Sequence, residues 1–282
     1  MKIPKQKDDA LFNDIKNTAP EPGEFHLWWL GQSGYLIKWQ NKHLLIDPYL
    51  SDSLTVKYST TDKPHIRITE LVIDPARLDF IDIATSSHNH TDHLDGETLI
   101  PLMKVNPDLK LVIPEANRDF VANRLKIDAA IPIGLTDGEN AEIDGVEFHA
   151  VPAAHEELER DEAGRCKFLG YVIRFGKWTV YHSGDTMLYD GIVDILRRFQ
   201  IDVALLPING RAPERRVAGN LNAAEAVQLA KDIHAKIVFP CHYDMFTFNT
   251  ADPQDFVTGA EQRRQAYCVL ENGEGWSSQN LK

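Results

Sequence analysis

The chain has 282 residues, of which 43% are hydrophobic and 26% charged, as in ordinary globular proteins. Its formal net charge of −12 argues against DNA or RNA as a partner, because nucleic acids are bound through basic surfaces. It has no apolar run of membrane-spanning length, no apolar signal core at its start and only three widely spaced cysteines. We therefore expect a cytoplasmic protein with no disulfide framework and no membrane partner.

The first half of the chain predicts a meander followed by alternating strands and helices. No linker or charge block divides it, so we expect one domain over 23–270, an N-terminal extension over 1–22 and a polar, frayed C-terminal tail over 271–282. Residues 48–78 have a loop-like pattern. The predicted strands of this half are 25–30, 34–39, 43–47, 81–85 and 109–113, and the predicted helices are 10–16, 96–105 and 115–125.

The second half predicts hairpins and then further alternation. Asn222 and Glu225 have the spacing of a capping box at a helix start. The predicted strands are 141–143, 146–151, 169–175, 178–181, 203–206 and 236–239, and the other predicted helices are 188–199 and 253–265. This order predicts an α+β fold in which two mixed sheets carry helices on their outer faces.

One short segment concentrates potential metal ligands. Three histidines and two aspartates lie within eight residues that begin at His88, shortly after the largely apolar run 80–84. In extended backbone, side chains two residues apart share a side, so His88 and His90 face one way. A following bend turns Asp92 and His93 toward a second position. The H-x-H-x-D-H spacing predicts a site for two metal ions; the alternative is a set of solvated loop histidines.

Three more residues supply ligands that a single loop cannot. His155, Asp185 and His242 each come a few residues after a predicted strand, where the backbone can fix a side chain. Considered singly, each is as easily a structural residue as a ligand. Together they add two imidazoles and a carboxylate able to bridge two ions.

In order and in position, these residues resemble the metal motifs of the metallo-β-lactamase superfamily. The resemblance covers about 23–255 and is closest to the L-ascorbate-6-phosphate lactonase branch, through segments 28–31, 181–185, 201–204 and 251–254. It implies an αββα four-layer sandwich with the site at one edge, between the sheets. Lactonases of this branch are longer and carry aspartate where His155 stands, so the resemblance defines the metal chemistry more closely than the substrate.

The resemblance also implies a ligand set. One ion is assigned to His88, His90 and His155, the second to Asp92, His93 and His242, and Asp185 bridges both. Nitrogen and oxygen donors without thiolate suit two divalent ions of manganese or zinc, with iron as an alternative.

The implied reaction is hydrolysis by a metal-bound hydroxide, because metal ions lower the pKa of bound water toward neutrality. Asp92 is both a proposed ligand and the candidate catalytic residue that orients the water or accepts its proton. The expected substrate is a lactone or related ester of a small anionic, sugar-derived acid.

Three residues near the motifs each have two interpretations. Asp47 either accepts a hydrogen bond from a ligand histidine or forms a plain Asp-Pro turn. His182 is interpreted as a structural residue rather than a ligand. Cys241 alternates with His242 in extended backbone, so we interpret it as a small buried residue.

Positive charge is concentrated in the segment 209–216 of this acidic chain. Guanidinium groups bind phosphate and carboxylate with two hydrogen bonds, so Arg211, Arg215 and Arg216 are candidate substrate-binding residues. The alternative is a solvated loop. The expected partner is a small anionic substrate, and the sequence leaves open whether the chain forms a homo-oligomer.

Other functions of this scaffold are less favoured. A phosphodiesterase or nuclease is the first alternative, but the acidic charge and the lack of a basic arm weigh against it. An exported β-lactamase needs a signal, and a di-iron redox protein usually carries a flavin domain. A binding module without catalysis would not need the complete ligand set.

Overall fold

The computed structural model describes residues 1–281, and the strands in this range are short. Their bounds are β1 Phe25–Gly31, β2 Gly34–Trp39, β3 Lys42–Ile46, β4 Ile83–Thr85, β5 Lys110–Pro114, β6 Ile133–Leu135, β7 Asn140–Ile143, β8 Val146–Pro152, β9 Leu169–Phe175, β10 Trp178–His182, β11 Val203–Pro207, β12 Ile237–Cys241 and β13 Gly275–Ser277.

The α-helices lie between and after these strands. Their bounds are α1 Asp8–Asn17, α2 Ser53–Tyr58, α3 Gly96–Val105, α4 Arg118–Leu125, α5 Ile192–Leu196, α6 Ala223–Asp232 and α7 Pro253–Arg263. The longest, α7, has 11 residues, and within residues 1–281 no helix combines the length and apolar character needed to cross a bilayer.

The strands form two mixed sheets. The first has the order β13-β1-β2-β3-β4-β5-β6, with β3 to β6 parallel and the other pairs antiparallel. The second has the order β12-β11-β10-β9-β8-β7, with β10 to β12 parallel and the other pairs antiparallel. The loops that form the candidate site follow the carboxyl ends of β4, β8, β10 and β12.

Alternation along β1 shows how the layers are built. Phe25, on one face, packs its ring 5.3 Å from Phe175 of the second sheet. Trp28, on the other face, belongs to a separate core with Leu11 of α1 and Leu99 of α3. Because the strand is buried on both faces, its sequence is apolar almost throughout. With α6 packed on β11 and β12, the result is the predicted sandwich of two sheets between helices.

Local signals explain most of the helices. Asn222 and Glu225 form the predicted capping box at the start of α6. The helix predicted at 188–199 is shorter: Gly191, at a φ of 96°, precedes α5, which ends in a 3-10 turn over Arg197–Phe199. Another 3-10 turn, at Glu115–Asn117, precedes α4.

Two expectations fail where pairing or packing overrides local sequence, and one strand was not predicted. Within residues 271–281 the polar tail is not frayed, because β13 pairs with β1 and the ring of Trp276 lies 5.2 Å from that of Phe239. The loop-like stretch 48–78 contains α2, whose six residues are too few for a periodic pattern. The short strand β6 extends the first sheet beside β5. The division into an extension, a domain and a tail stays a prediction.

Candidate metal centre and adjoining cavity

The candidate metal centre lies where loops from the two sheets meet. The loop after β4 carries His88, His90, Asp92 and His93, while loops after β8, β10 and β12 carry His155, Asp185 and His242, respectively. Parallel neighbours in a sheet end at the same edge, which brings side chains distant in sequence together. All seven residues predicted as ligands lie in this one place.

The loops approach each other closely at Gly184, beside Asp185. A Cβ atom here would lie 2.7 Å from the Cβ of Ser87 and 2.9 Å from the carbonyl oxygen of Leu169. The φ of Gly184 is 58°, in the left-handed region that glycine adopts without penalty. Glycine therefore allows the loop bearing Asp185 to pass directly against the loop bearing His88.

The side chains form three overlapping groups of potential ligand atoms. Within each group these atoms lie no more than 4.8 Å apart; the groups are His88, His90 and His155; His88, His93 and Asp185; and Asp92, His93 and His242. The first and third groups match the two predicted ion positions. The second places Asp185 between them, where a bridging carboxylate is expected.

Asp185 is the centre of this arrangement. Its Oδ1 lies 3.0 Å from Nε2 of His242 and 3.3 Å from Nε2 of His93, while its Oδ2 lies 3.6 Å from Nε2 of His155. Burial alone would raise the pKa of Asp185, but the adjacent His242 and His93 hold it well below its ordinary value. Asp185 is therefore an anion facing both halves of the site.

Hydrogen bonds on the far side of the imidazoles orient their inner nitrogens. Nδ1 of His155 donates to the carbonyl oxygen of Gly219 over 2.7 Å, and Nδ1 of His93 donates to Asp47 over 2.8 Å. Such bonds select the tautomer whose Nε2 lone pair is free for a metal ion.

Two inner atoms lack hydrogen-bond partners among residues 1–281. Nε2 of His88 is buried without one, and the buried Oδ1 of Asp185, although 3.0 Å from Nε2 of His242, is not aligned for a hydrogen bond. Buried polar atoms are seldom left unpaired, and both types are good ligands for a borderline divalent ion. The donor set therefore fits metal binding.

Electrostatics also favour a cation here. Burial lowers the pKa of His88 well below its ordinary value, and neighbouring His93 and His90 lower it further, so this ring is neutral. Burial would lower the pKa of His93 as well, but Asp185 and Asp92 raise it far above its ordinary value. The acidic pair thus attracts a positive charge that a metal ion can supply in place of a proton.

Gln32 is a site residue that the sequence did not identify. Its Nε2 lies 3.0 Å from Oδ2 of Asp92 and 3.3 Å from Nδ1 of His242. It belongs to the turn between β1 and β2 and has a φ of 49°. A strained, buried polar residue in a turn is a signal of function, but that strain is visible only in the structure.

The residues with two interpretations now have one each. Asp47 accepts the hydrogen bond from His93, which confirms its predicted contact with a candidate ligand. His182 uses both ring nitrogens on the backbone, at Ser33 and Gly184, as expected of a structural residue. Cys241 is buried, and burial raises the pKa of its thiol well above the ordinary value.

A cavity of about 240 Å³ opens beside the centre. His90, Asp92, His155 and Asp185 form part of its wall. The other lining residues are Gln32, Leu54, Lys57, Tyr58, Lys63, His65, Thr91, Arg216, Val217, Ala218, Phe246 and Asn249. A bound molecule would therefore meet the candidate ligands directly.

Of the three predicted substrate-binding arginines, only Arg216 lines this cavity. Arg211 pairs with Glu225 over 3.0 Å and is directed to the start of α6. Arg215 donates to the carbonyl oxygen of Asn209 and to the side chain of Asn249. The guanidinium groups of Arg211 and Arg215 are thus engaged within the protein and outside the cavity wall, and substrate binding by them stays a prediction.

Comparison with known proteins agrees with this geometry. The family described as the beta-lactamase superfamily domain matches residues 42–243. A UPF0173 metal-dependent hydrolase of Saccharolobus solfataricus is 29% identical over 88% of this chain and 97% of its own length. A probable L-ascorbate-6-phosphate lactonase of Escherichia coli is 26% identical over 87% of this chain and 77% of its own length.

The solved structures share the fold. Igni18, a metallo hydrolase from Ignicoccus hospitalis, superposes with a TM-score of 0.66 at 23% identity, over 90% of this chain and 98% of the other. The fold is thus the metallo-β-lactamase sandwich. Its matched domain contains every residue of the candidate metal centre, and the chain belongs to the metallo-β-lactamase superfamily, as a metal-dependent hydrolase.

Proposed function

We propose that the protein hydrolyses a lactone or related ester of a small anionic, sugar-derived acid at a centre of two divalent ions, manganese or zinc. The observation that carries this proposal is the set of overlapping ligand groups around Asp185, beside a cavity whose wall includes Lys57, Lys63 and Arg216. The distant likeness to a lactonase supports the choice of ester over other bonds.

The residues of the candidate metal centre can be divided between the two ions. His88, His90 and His155 would hold one, Asp92, His93 and His242 the other, and Asp185 both. When bound, the ions supply Lewis acidity and lower the pKa of coordinated water toward neutrality.

Asp92 is the residue best suited to move a proton. It lines the cavity, and Gln32 fixes its Oδ2 with a hydrogen bond of 3.0 Å. Burial would raise the pKa of Asp92, but His93 and His242 keep it below its ordinary value, so the carboxylate is ionised at neutral pH. An ionised carboxylate can orient attacking water and accept its proton.

The proposal is tested with protein purified without chelator. Its metal content is measured, and hydrolysis is followed for a sugar-acid lactone and for bis(p-nitrophenyl) phosphate. We expect two equivalents of metal and turnover of the lactone. Hydrolysis of the phosphodiester alone would instead assign the centre to a phosphodiesterase.

A matched pair of variants ties the activity to the centre. His90→Ala removes a candidate ligand, whereas His149→Ala removes a half-buried imidazole on β8 that lies outside the centre. We expect only His90→Ala to lose metal and turnover. Equal metal content and equal rates in the two variants would contradict the proposed ligand set.

A further inference from the structure

Positive charge lines the cavity although the protein as a whole is acidic. Lys57, Lys63 and Arg216 form part of its wall, and we call these three residues the cationic rim. Among residues 1–281, the carboxylates in the wall are Asp92 and Asp185, both of the candidate metal centre. A group bound at the rim would therefore lie beside the centre and next to three cationic side chains.

Lys57 is held next to the loop of ligands. It lies in α2, and its Nζ donates to Oγ1 of Thr91 over 3.1 Å. Thr91 directly precedes Asp92, so the ammonium group is hydrogen-bonded to the residue next to a candidate ligand. The short helix missed by sequence analysis thus brings a cation to the cavity.

Lys63 is positioned by a buried histidine. The ring of His65 lies 4.5 Å from that of Tyr58 and 5.4 Å from that of Phe246, and its Nδ1 donates to the carbonyl oxygen of Lys63 over 2.8 Å. Thr55 of α2 in turn donates to the carbonyl oxygen of His65 over 2.6 Å. Helix α2 and the segment after it therefore form one unit that presents both lysines.

The rim joins two separate parts of the chain. Nζ of Lys63 donates to the backbone carbonyl of Arg216, and the guanidinium of Arg216 pairs with Asp62. Asp62 offsets one of the three positive charges. The hydrogen bonds of Lys57 and Lys63 go to a hydroxyl and a carbonyl, and within residues 1–281 neither ammonium pairs with a carboxylate.

We propose that the cationic rim binds an anionic group of the substrate, a phosphate ester or a carboxylate, remote from the bond cleaved at the metal centre. This inference rests on the proposed function. Each ammonium has three donor hydrogens and uses one on a neutral oxygen, so two remain on each lysine for the oxygens of an anion. Charge-assisted hydrogen bonds of this kind are stronger than neutral ones.

The test compares three substrates with the same lactone ring: an aldonolactone 6-phosphate, an analogue with a terminal carboxylate, and the neutral aldonolactone. Lys57→Gln and Lys63→Gln remove charge from the rim. Lys104→Gln, on the exposed side of α3, is the matched control. We expect each rim variant to raise KM for a charged substrate about fivefold and to leave kcat, and the neutral substrate, unchanged.

The substrate with the larger effect identifies the anion that the rim receives. Equal KM values for charged and neutral substrates in the unmodified enzyme would overturn the inference while leaving the proposed function intact. An equal rise in KM for all three substrates in the rim variants would also overturn the inference.

If no lactone is cleaved, the proposed function fails and the rim is tested by binding alone. Calorimetry with the metal-loaded protein then compares a hexose 6-phosphate with the free hexose. Tighter binding of the phosphate, weakened in both rim variants and unchanged in Lys104→Gln, would support the rim. Unchanged binding of the hexose 6-phosphate in both rim variants would refute the inference.

Discussion

Asp47 is the most direct place to test how the protein prepares a ligand. It is fully buried, and its Oδ1 accepts from Oγ1 of Thr85 over 2.8 Å and from the backbone N of Ser87 over 3.0 Å. Its Oδ2 accepts from Oγ of Ser87 and from Nδ1 of His93. Burial would raise the pKa of Asp47, but His182 and the hydrogen bond from His93 keep it below its ordinary value.

The substitution Asp47→Asn changes mainly the contact with Nδ1 of His93. The amide oxygen can replace Oδ1, and the amide nitrogen can donate to the hydroxyl of Ser87, which also accepts. Nδ1 of His93 must then become an acceptor, which moves its proton to Nε2, the atom 3.3 Å from Asp185. That nitrogen then has no lone pair for a metal ion.

Loss of such a partner lowers metal affinity by about 10- to 100-fold, or about 1.4–2.7 kcal/mol. The metal-free protein should lose only about 1–2 kcal/mol of stability, because the hydrogen bonds survive without their charge. Metal affinity is measured by competition with a chelating dye and stability by urea denaturation without metal. Asp202→Asn, at another buried aspartate that accepts from Thr179, is the control.

A variant Asp47→Asn that binds metal as tightly as the unmodified protein would refute this account of His93. If Asp202→Asn lost as much metal affinity as Asp47→Asn, the effect would be due to general destabilisation.

Three other predictions concern single residues. His90→Ala should abolish turnover yet leave the melting temperature of the metal-free protein nearly unchanged, because His90 is exposed. A large drop in that melting temperature, measured by calorimetry, would contradict this. Gly184→Ala should cost about 2–3 kcal/mol in urea denaturation, since its Cβ would overlap Ser87, and unchanged stability would disprove that close approach. Burial, with the charge of Lys38, lowers the pKa of His43 from 6.5 to about 4. The unfolded chain therefore binds more protons below pH 6.5, and stability falls by up to about 3 kcal/mol as pH drops toward 4. His43→Leu should remove this part of the acid loss in melts across that range; an unchanged pH slope would refute it.

Sequence was most informative where local spacing determines structure. The H-x-H-x-D-H loop follows a short apolar strand, and the capping box of Asn222 and Glu225 marks the start of α6. Both depend on residues a few positions apart. Their positions after predicted strands made His155, Asp185 and His242 candidates, and the resemblance to a known superfamily then assigned them to the same site as that loop.

Features that depend on distant partners were missed. The cluster of arginines indicated positive charge, but only the structure shows that Glu225 pairs with Arg211. Helix α2 has too few residues for a repeat, and β13 needs β1 beside it to be a strand. The lysines of the cationic rim were therefore not recognised, because their significance lies in where α2 packs.

The division of the candidate ligands between the two sheets has a consequence for assembly. Four come from the first sheet's loop after β4, and three come from loops of the second sheet. Neither sheet alone supplies all seven candidate ligands, so a pair of ions held by these residues would link the two sheets across their interface. Tight binding of both ions would then indicate that the two sheets have packed together. A partly synthesised chain without His242 could not hold both ions.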